Sequence, residues 1–217
     1  MTFPLLDGWH DLPRRRYCTA VANIIEYPIA LQRLQQQGLV CNYFNGGAFG
    51  FPKGTSVNTL GWISDEDWTI KPHLRPNLRR FAPPAQESLA KAAVAAWVNE
   101  LSSPAWIMPL SHWAFELDFG SRNWLPKLIE IVGLGLDPNL LAHRADASPI
   151  EFSLEEQPTL QRFVQTLLEN LVSSDFMLAF PCHPILCTIH HHKQLWWRGS
   201  DKALIERISG YSMNQPL

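Results

Sequence analysis

Apolar residues recur at helical spacing in several stretches of this chain and alternate with polar ones in others. Between Tyr17 and Gln37, Val21, Ile24, Ile25, Leu31 and Leu34 fall at helical intervals, and Gly38 supplies a stop. Pro28 interrupts that run, so the segment reads as one kinked helix or two short ones. Leu89, Ala92, Ala93, Ala96, Trp97 and Leu101 form the stripe of an amphipathic helix over Ala85–Leu101. The strongest periodic signal is Leu160, Phe163, Val164, Leu167, Leu168, Leu171 and Val172. Ser153 and Glu156 announce it at capping-box spacing. Trp124–Gly133 with Asn123 as N-cap, a short helix opening at Asp137–Pro138, and Lys202–Ile208 complete the helices.

Strand patterns fall at Leu39–Phe44, Ala48–Phe51 and Ser56–Ile63. Asn45–Gly46–Gly47 and Lys53–Gly54–Thr55 provide turn chemistry between them. Ala105–Leu110 follows the second helix, and His112–Phe119 alternates cleanly. Trp113, Phe115, Leu117 and Phe119 share one side; His112, Ala114, Glu116 and Asp118 share the other. Phe176–Phe180 and Ile185–His192 flank a Pro–Cys–His–Pro turn, and Leu195–Arg198 offers a further strand. Strands arrive in hairpin-like pairs with helices grouped between them. The expected class is therefore α+β, a mainly antiparallel sheet with amphipathic helices packed on one face. The 160–172 helix is expected to lie on the apolar side of Trp113–Phe119. A single domain over 1–217 accounts for the length, with the proline-punctuated connector 65–84 as the place for a sub-domain boundary.

Composition sharpens the functional question without answering it. Charged residues are 18%, below the roughly 25% of ordinary soluble chains, while there are 9 Trp and 11 Phe. Large aromatics need either a core or a partner, so a protein partner or a homo-oligomer is expected. The net charge of −2 gives no general pull toward nucleic acid. The locally basic stretch Lys71–Arg80 reads as a solvated loop. No run approaches ~20 apolar residues and no basic leader opens the chain, so a cytoplasmic protein without a membrane span is expected. Cys18, Cys41, Cys182 and Cys187 are then expected as reduced thiols.

Candidate chemistry concentrates at His190–His191–His192. On a regular strand, Thr188, His190, His192 and Gln194 share one side and His191 points away. His190 and His192 would grip one ion from that side. Outside ligands would come from Glu116, Asp118 and His112 if the two strands were neighbours. Two histidines and a carboxylate suit zinc or non-haem iron. The competing reading makes the same side a wet or partner-facing sheet surface: Thr188, Gln194, Trp196 and Trp197 would then be contact residues of a non-catalytic, adaptor- or immunity-like binding protein. No nucleophile elbow is present, and the glycines of residues 46–54 lead from strand to strand, not into a phosphate-binding helix.

Overall fold

The computed structural model describes residues 23–41, 49–64, 77–120, 124–131 and 141–212, and among these described residues ten strands and six α-helices are arranged about one large sheet. The strands are β1 (Asn23–Ile24), β2 (Val40–Cys41), β3 (Phe49–Gly50), β4 (Asn58–Ser64), β5 (Leu78–Phe81), β6 (Ala105–Pro109), β7 (Ile150–Phe152), β8 (Phe176–Ala179), β9 (Ile185–His190) and β10 (Gln194–Gly199). Eight of them run in the order β1-β7-β6-β8-β9-β10-β4-β5, and β2 pairs with β3 separately. Every pairing is antiparallel except β4 with β5. The α+β class with a mainly antiparallel sheet is thus present.

The helices are α1 (Tyr27–Gln36), α2 (Ala85–Ala96), α3 (Trp113–Phe115), α4 (Leu125–Ile131), α5 (Gln157–Asn170) and α6 (Lys202–Ser209). Pro28 does not kink α1 but begins it, where a missing N–H costs nothing. Residues 17–22 of the expected helix lie outside the described residues, as do the Asn45–Gly47 turn and the helix expected at Asp137–Pro138. Ser153 and Glu156 close as their spacing predicts: the Glu156 carboxylate accepts the Ser153 backbone N–H at 2.7 Å and its hydroxyl at 2.9 Å. α2 continues into a π-helical turn, Trp97–Leu101, and ends on Ser102 with φ 45°.

Alternation along the central strands sorts their side chains into two cores. Ala105, Ile107, Phe176, Leu178, Cys187, Ile189, Leu195 and Trp197 join the residues of α2, α5 and α6. Trp106, Met108, Met177, Ala179 and Leu186 join Ala30 and Leu34 of α1 and Phe49 of β3. Helices therefore lie on both sides of the sheet, and the expected one-sided arrangement is corrected. The reason is visible in the strands: β6, β8 and β9 are apolar nearly throughout, the pattern of a sheet covered twice.

The larger correction concerns His112–Phe119, which is not a strand. Trp113–Phe115 is α3, and Glu116–Gly120 is a π-helical turn. Trp113, Glu116 and Leu117 are its buried positions, an i, i+3, i+4 set. His112 caps the segment by accepting the Phe115 N–H on Nδ1 at 3.1 Å, and the Trp113 indole N–H reaches the Ser148 carbonyl at 2.7 Å. Over so short a window the two periods share Trp113 and Leu117 and part at Phe115, which is exposed, and Glu116, which is buried; the cap and the indole anchor select the helix. α5 accordingly packs on α2 and β9, not on a strand here. The connector 65–84 carries β5 at its far end. The strands on either side of residues 65–76, β4 and β5, belong to the same sheet.

Candidate metal centre

β9 ends at His190 because the chain turns there. His190 and Gln194 face each other as the first pair of the β9–β10 hairpin, leaving His191–His192–Lys193 as a three-residue loop. The Lys193 N–H returns to the His190 carbonyl at 3.0 Å, and Lys193 takes φ 60°. This is the common three-residue hairpin, a tight turn followed by one left-handed residue. The left-handed position belongs to Lys193, not to a glycine.

The turn cancels the alternation expected beyond residue 190. All three rings gather on one end of the hairpin. Ring centroids are 4.2 Å apart for His190 and His191, 4.3 Å for His191 and His192, and 4.9 Å for His190 and His192. One nitrogen from each ring lies within 4.8 Å of the others. Thus His191, expected to point away, is a full member of the cluster. His190 and His191 are half-buried and His192 is exposed.

A carboxylate does stand beside the cluster, but it is Asp175. The β8–β9 register sets Phe176 opposite Ile189, which carries Asp175 to the level of His190. Asp175 Oδ1 accepts the His191 backbone N–H at 2.9 Å and contacts His191 Nδ1 at 2.8 Å. A carboxylate oxygen only accepts here, so His191 Nδ1 carries a hydrogen, which in the neutral ring leaves Nε2 as the coordinating nitrogen. That is the tautomer a metal-binding histidine takes when a carboxylate orients it. His190 is set differently. Its Nδ1 accepts the His192 backbone N–H at 3.1 Å, and its Nε2 lies 3.8 Å from Asp175 Oδ2. Coordination through His190 Nδ1 would release that exposed amide to solvent, a small cost.

The seven remaining members of the expected sets fall elsewhere. Glu116 is buried, and its Oε1 accepts the Ser111 hydroxyl at 2.8 Å; Asp118 is exposed on the π-helical turn; His112 is the α3 cap. None of these three joins the histidine group among the described residues. Thr188, Gln194 and Trp197 are buried, and Trp196 is half-buried with its indole N–H held by Gln194 Oε1 at 2.8 Å. Thr188, Gln194 and Trp197 are thus closed off from solvent, while Trp196 keeps part of its surface exposed. Two features of the candidate site escaped the sequence: the membership of His191 and the contact made by Asp175. Three histidines and a lysine between two strand patterns are the right length for a hairpin loop, which was the available signal for the first. Nothing local marks the second, since the pairing of β8 with β9 creates it.

Neutral imidazoles suit zinc, copper, nickel or iron, and three of them without a coordinating carboxylate are the donor set of a three-histidine zinc site. Zn–N bonds of about 2.0–2.1 Å place neighbouring nitrogens about 3.3 Å apart. The widest separation of 4.8 Å would have to close, a movement within reach of side-chain rotation on an exposed turn. Among the described residues, no helix is long and apolar enough to cross a membrane. No protein family's model matches this chain, and neither the curated proteins nor the solved structures include a match to it.

Proposed function

We propose that this is a metal-binding protein whose β9–β10 turn takes a zinc-class divalent ion on His190, His191 and His192. The observation that carries the reading is Asp175. A run of histidines on a loose surface loop needs no carboxylate partner, whereas here one side chain fixes the backbone, the tautomer and the ring direction of His191. Three protein nitrogens leave a fourth tetrahedral position for water or a partner's side chain. The half-buried position of two rings limits hydration on one side and leaves the other open.

Tag-free protein titrated with zinc in a calorimeter tests this. One equivalent should bind, and His190→Ala combined with His191→Ala and His192→Ala should abolish it. Asp175→Asn should weaken binding about 10–100-fold while the fold persists, the usual effect of removing an orienting carboxylate. Equal zinc affinity in Asp175→Asn and the parent would reduce the cluster to an adventitious histidine run and end the proposal.

A further inference from the structure

The face of β10 that carries Gln194 continues to Trp196 and Arg198, while Leu195 and Trp197 enter the opposite core. Arg198 is half-buried. Among the described residues its guanidinium has no hydrogen bond and no ion pair, and burial lowers its pKa from the ordinary arginine value. Its cross-strand neighbours are Leu186 on β9 and Thr59 on β4, neither of them a charge partner. An arginine taken partly out of water without an acceptor is costly, and it is the group best shaped to hold a planar oxyanion through two parallel N–H bonds.

Trp196, two residues earlier on the same face, is held at two points. Its indole N–H donates to Gln194 Oε1 at 2.8 Å. Its six-membered ring occupies the place a side chain at Gly61 would need: Cζ3 and Cη2 lie 2.7 and 2.9 Å from where a Cβ would stand. The ring is thus a fixed plate seated on the sheet backbone, and the residue keeps part of its surface exposed. Thr188 stands opposite Trp196 and Thr59 opposite Arg198, which adds two hydroxyl groups to the same face.

We propose that Arg198 and Trp196 form a subsite for a small planar carboxylate, the carboxylate paired with the guanidinium and the attached ring laid on the indole. A flat anion matches both features at once, whereas phosphate uses only the first. The subsite is distinct from the histidine turn. Four residues separate Gln194, opposite His190, from Arg198, about 13 Å along the strand. The two assignments can therefore fail independently.

Benzoate, with inorganic phosphate as the second probe, tests the subsite on the full chain without zinc. Nitrogen-edited NMR follows the Trp196 indole N–H, assigned through Trp196→Leu, and the arginine Nε–H resonances. Benzoate should shift the Trp196 and Arg198 signals saturably. Arg198→Met should weaken binding about tenfold or more, the loss expected for a charge-assisted pair. Trp196→Leu should weaken benzoate by about fivefold, the scale of a lost aromatic contact, and leave phosphate unchanged. No saturable shift, phosphate binding without benzoate binding, or unaltered benzoate affinity in Arg198→Met would each overturn the proposal. If Arg198→Met does not fold, Arg198→Lys keeps the charge and removes the two-pronged geometry. Reduced benzoate affinity in that variant supports the subsite and undiminished affinity refutes it.

Discussion

Lys193 occupies a backbone conformation that side chains with a Cβ resist, φ 60° at the close of the histidine turn. Glycine there would remove the strain but add backbone freedom in the unfolded chain. The balance favours Lys193→Gly by about 0.5 kcal/mol, read as a small rise in melting temperature, with a fall meaning that the lysine side chain contributes something the turn geometry does not express. The histidines themselves were legible from the sequence, but their grouping was not. Alternation holds only while the strand lasts, and it stops at His190 because the chain reverses within three residues. Asp175 was illegible for a different reason. Fifteen residues of chain position separate it from His190, and only the pairing of Phe176 with Ile189 brings it there.

At the level of elements, long periodic patterns were reliable and short ones were not. α5 lies where Leu160, Phe163, Val164, Leu167 and Leu168 require it, with all five buried. Leu167→Ala removes a fully buried side chain at the junction of α5 with α2 and β9 and should cost about 2–5 kcal/mol in chemical denaturation. A loss under about 1 kcal/mol would mean that the helix is not held by that face. β7 and β5, with three and four residues, carry too little sequence to show a period and were missed. His112–Phe119 misled because its period-two pattern was real but unsupported. An isolated edge needs a neighbour, whereas a caps-and-indole anchor is available within a few residues. Gly61 gives β4 a second test. A methyl group there would stand 2.6 Å from Leu78 Cδ2 as well as against the Trp196 ring. Gly61→Ala should destabilise the β10–β4–β5 edge by about 1–3 kcal/mol, the usual range for overpacking. Retained stability would show that Trp196 swings aside freely.

Across the described residues, much of the aromatic content is buried. Trp62, Trp97, Trp106, Trp113 and Trp197 are all buried, spread over two cores that one sheet separates. Five of the nine tryptophans are thus taken up by a sheet covered on both sides. Among the charged contacts that span distant parts of the chain, Arg144 donates to both carboxylate oxygens of Glu26, at 2.7 and 3.1 Å, and to the Ser148 hydroxyl at 2.9 Å. The hydrogen bonds and charge of Arg144 lower the Glu26 pKa from its ordinary 4.5. The stability Glu26 contributes is therefore complete above 4.5 and disappears as pH falls through the lowered folded value. The difference in melting temperature between the parent and Glu26→Gln should shrink on acidification through that window; a difference that grows would reverse the assignment. Among the described residues Cys41, Cys182 and Cys187 form no disulfide, and Cys18 lies outside them.

The strand order also bears on how the chain meets itself during synthesis. β8, β9 and β10 form a local meander joined by short turns, yet they sit in the interior of the sheet, with β6 on one side and β4 on the other. β4 is made more than a hundred residues before the β10 segment that pairs with it, Leu195–Gly199. Until β10 emerges from the ribosome, β4 has an unclaimed edge carrying Leu60, Trp62 and Ile63, a segment suited to pairing with the wrong chain. Nascent chains arrested before residue 194 should recruit chaperones and resist release as soluble protein, while arrest beyond residue 212 and a tunnel's length of linker should abolish that dependence. A protein with this order closes from its late strands backward, so the histidine turn, as the link between β9 and β10, stands at the step that lets the earlier half find its place.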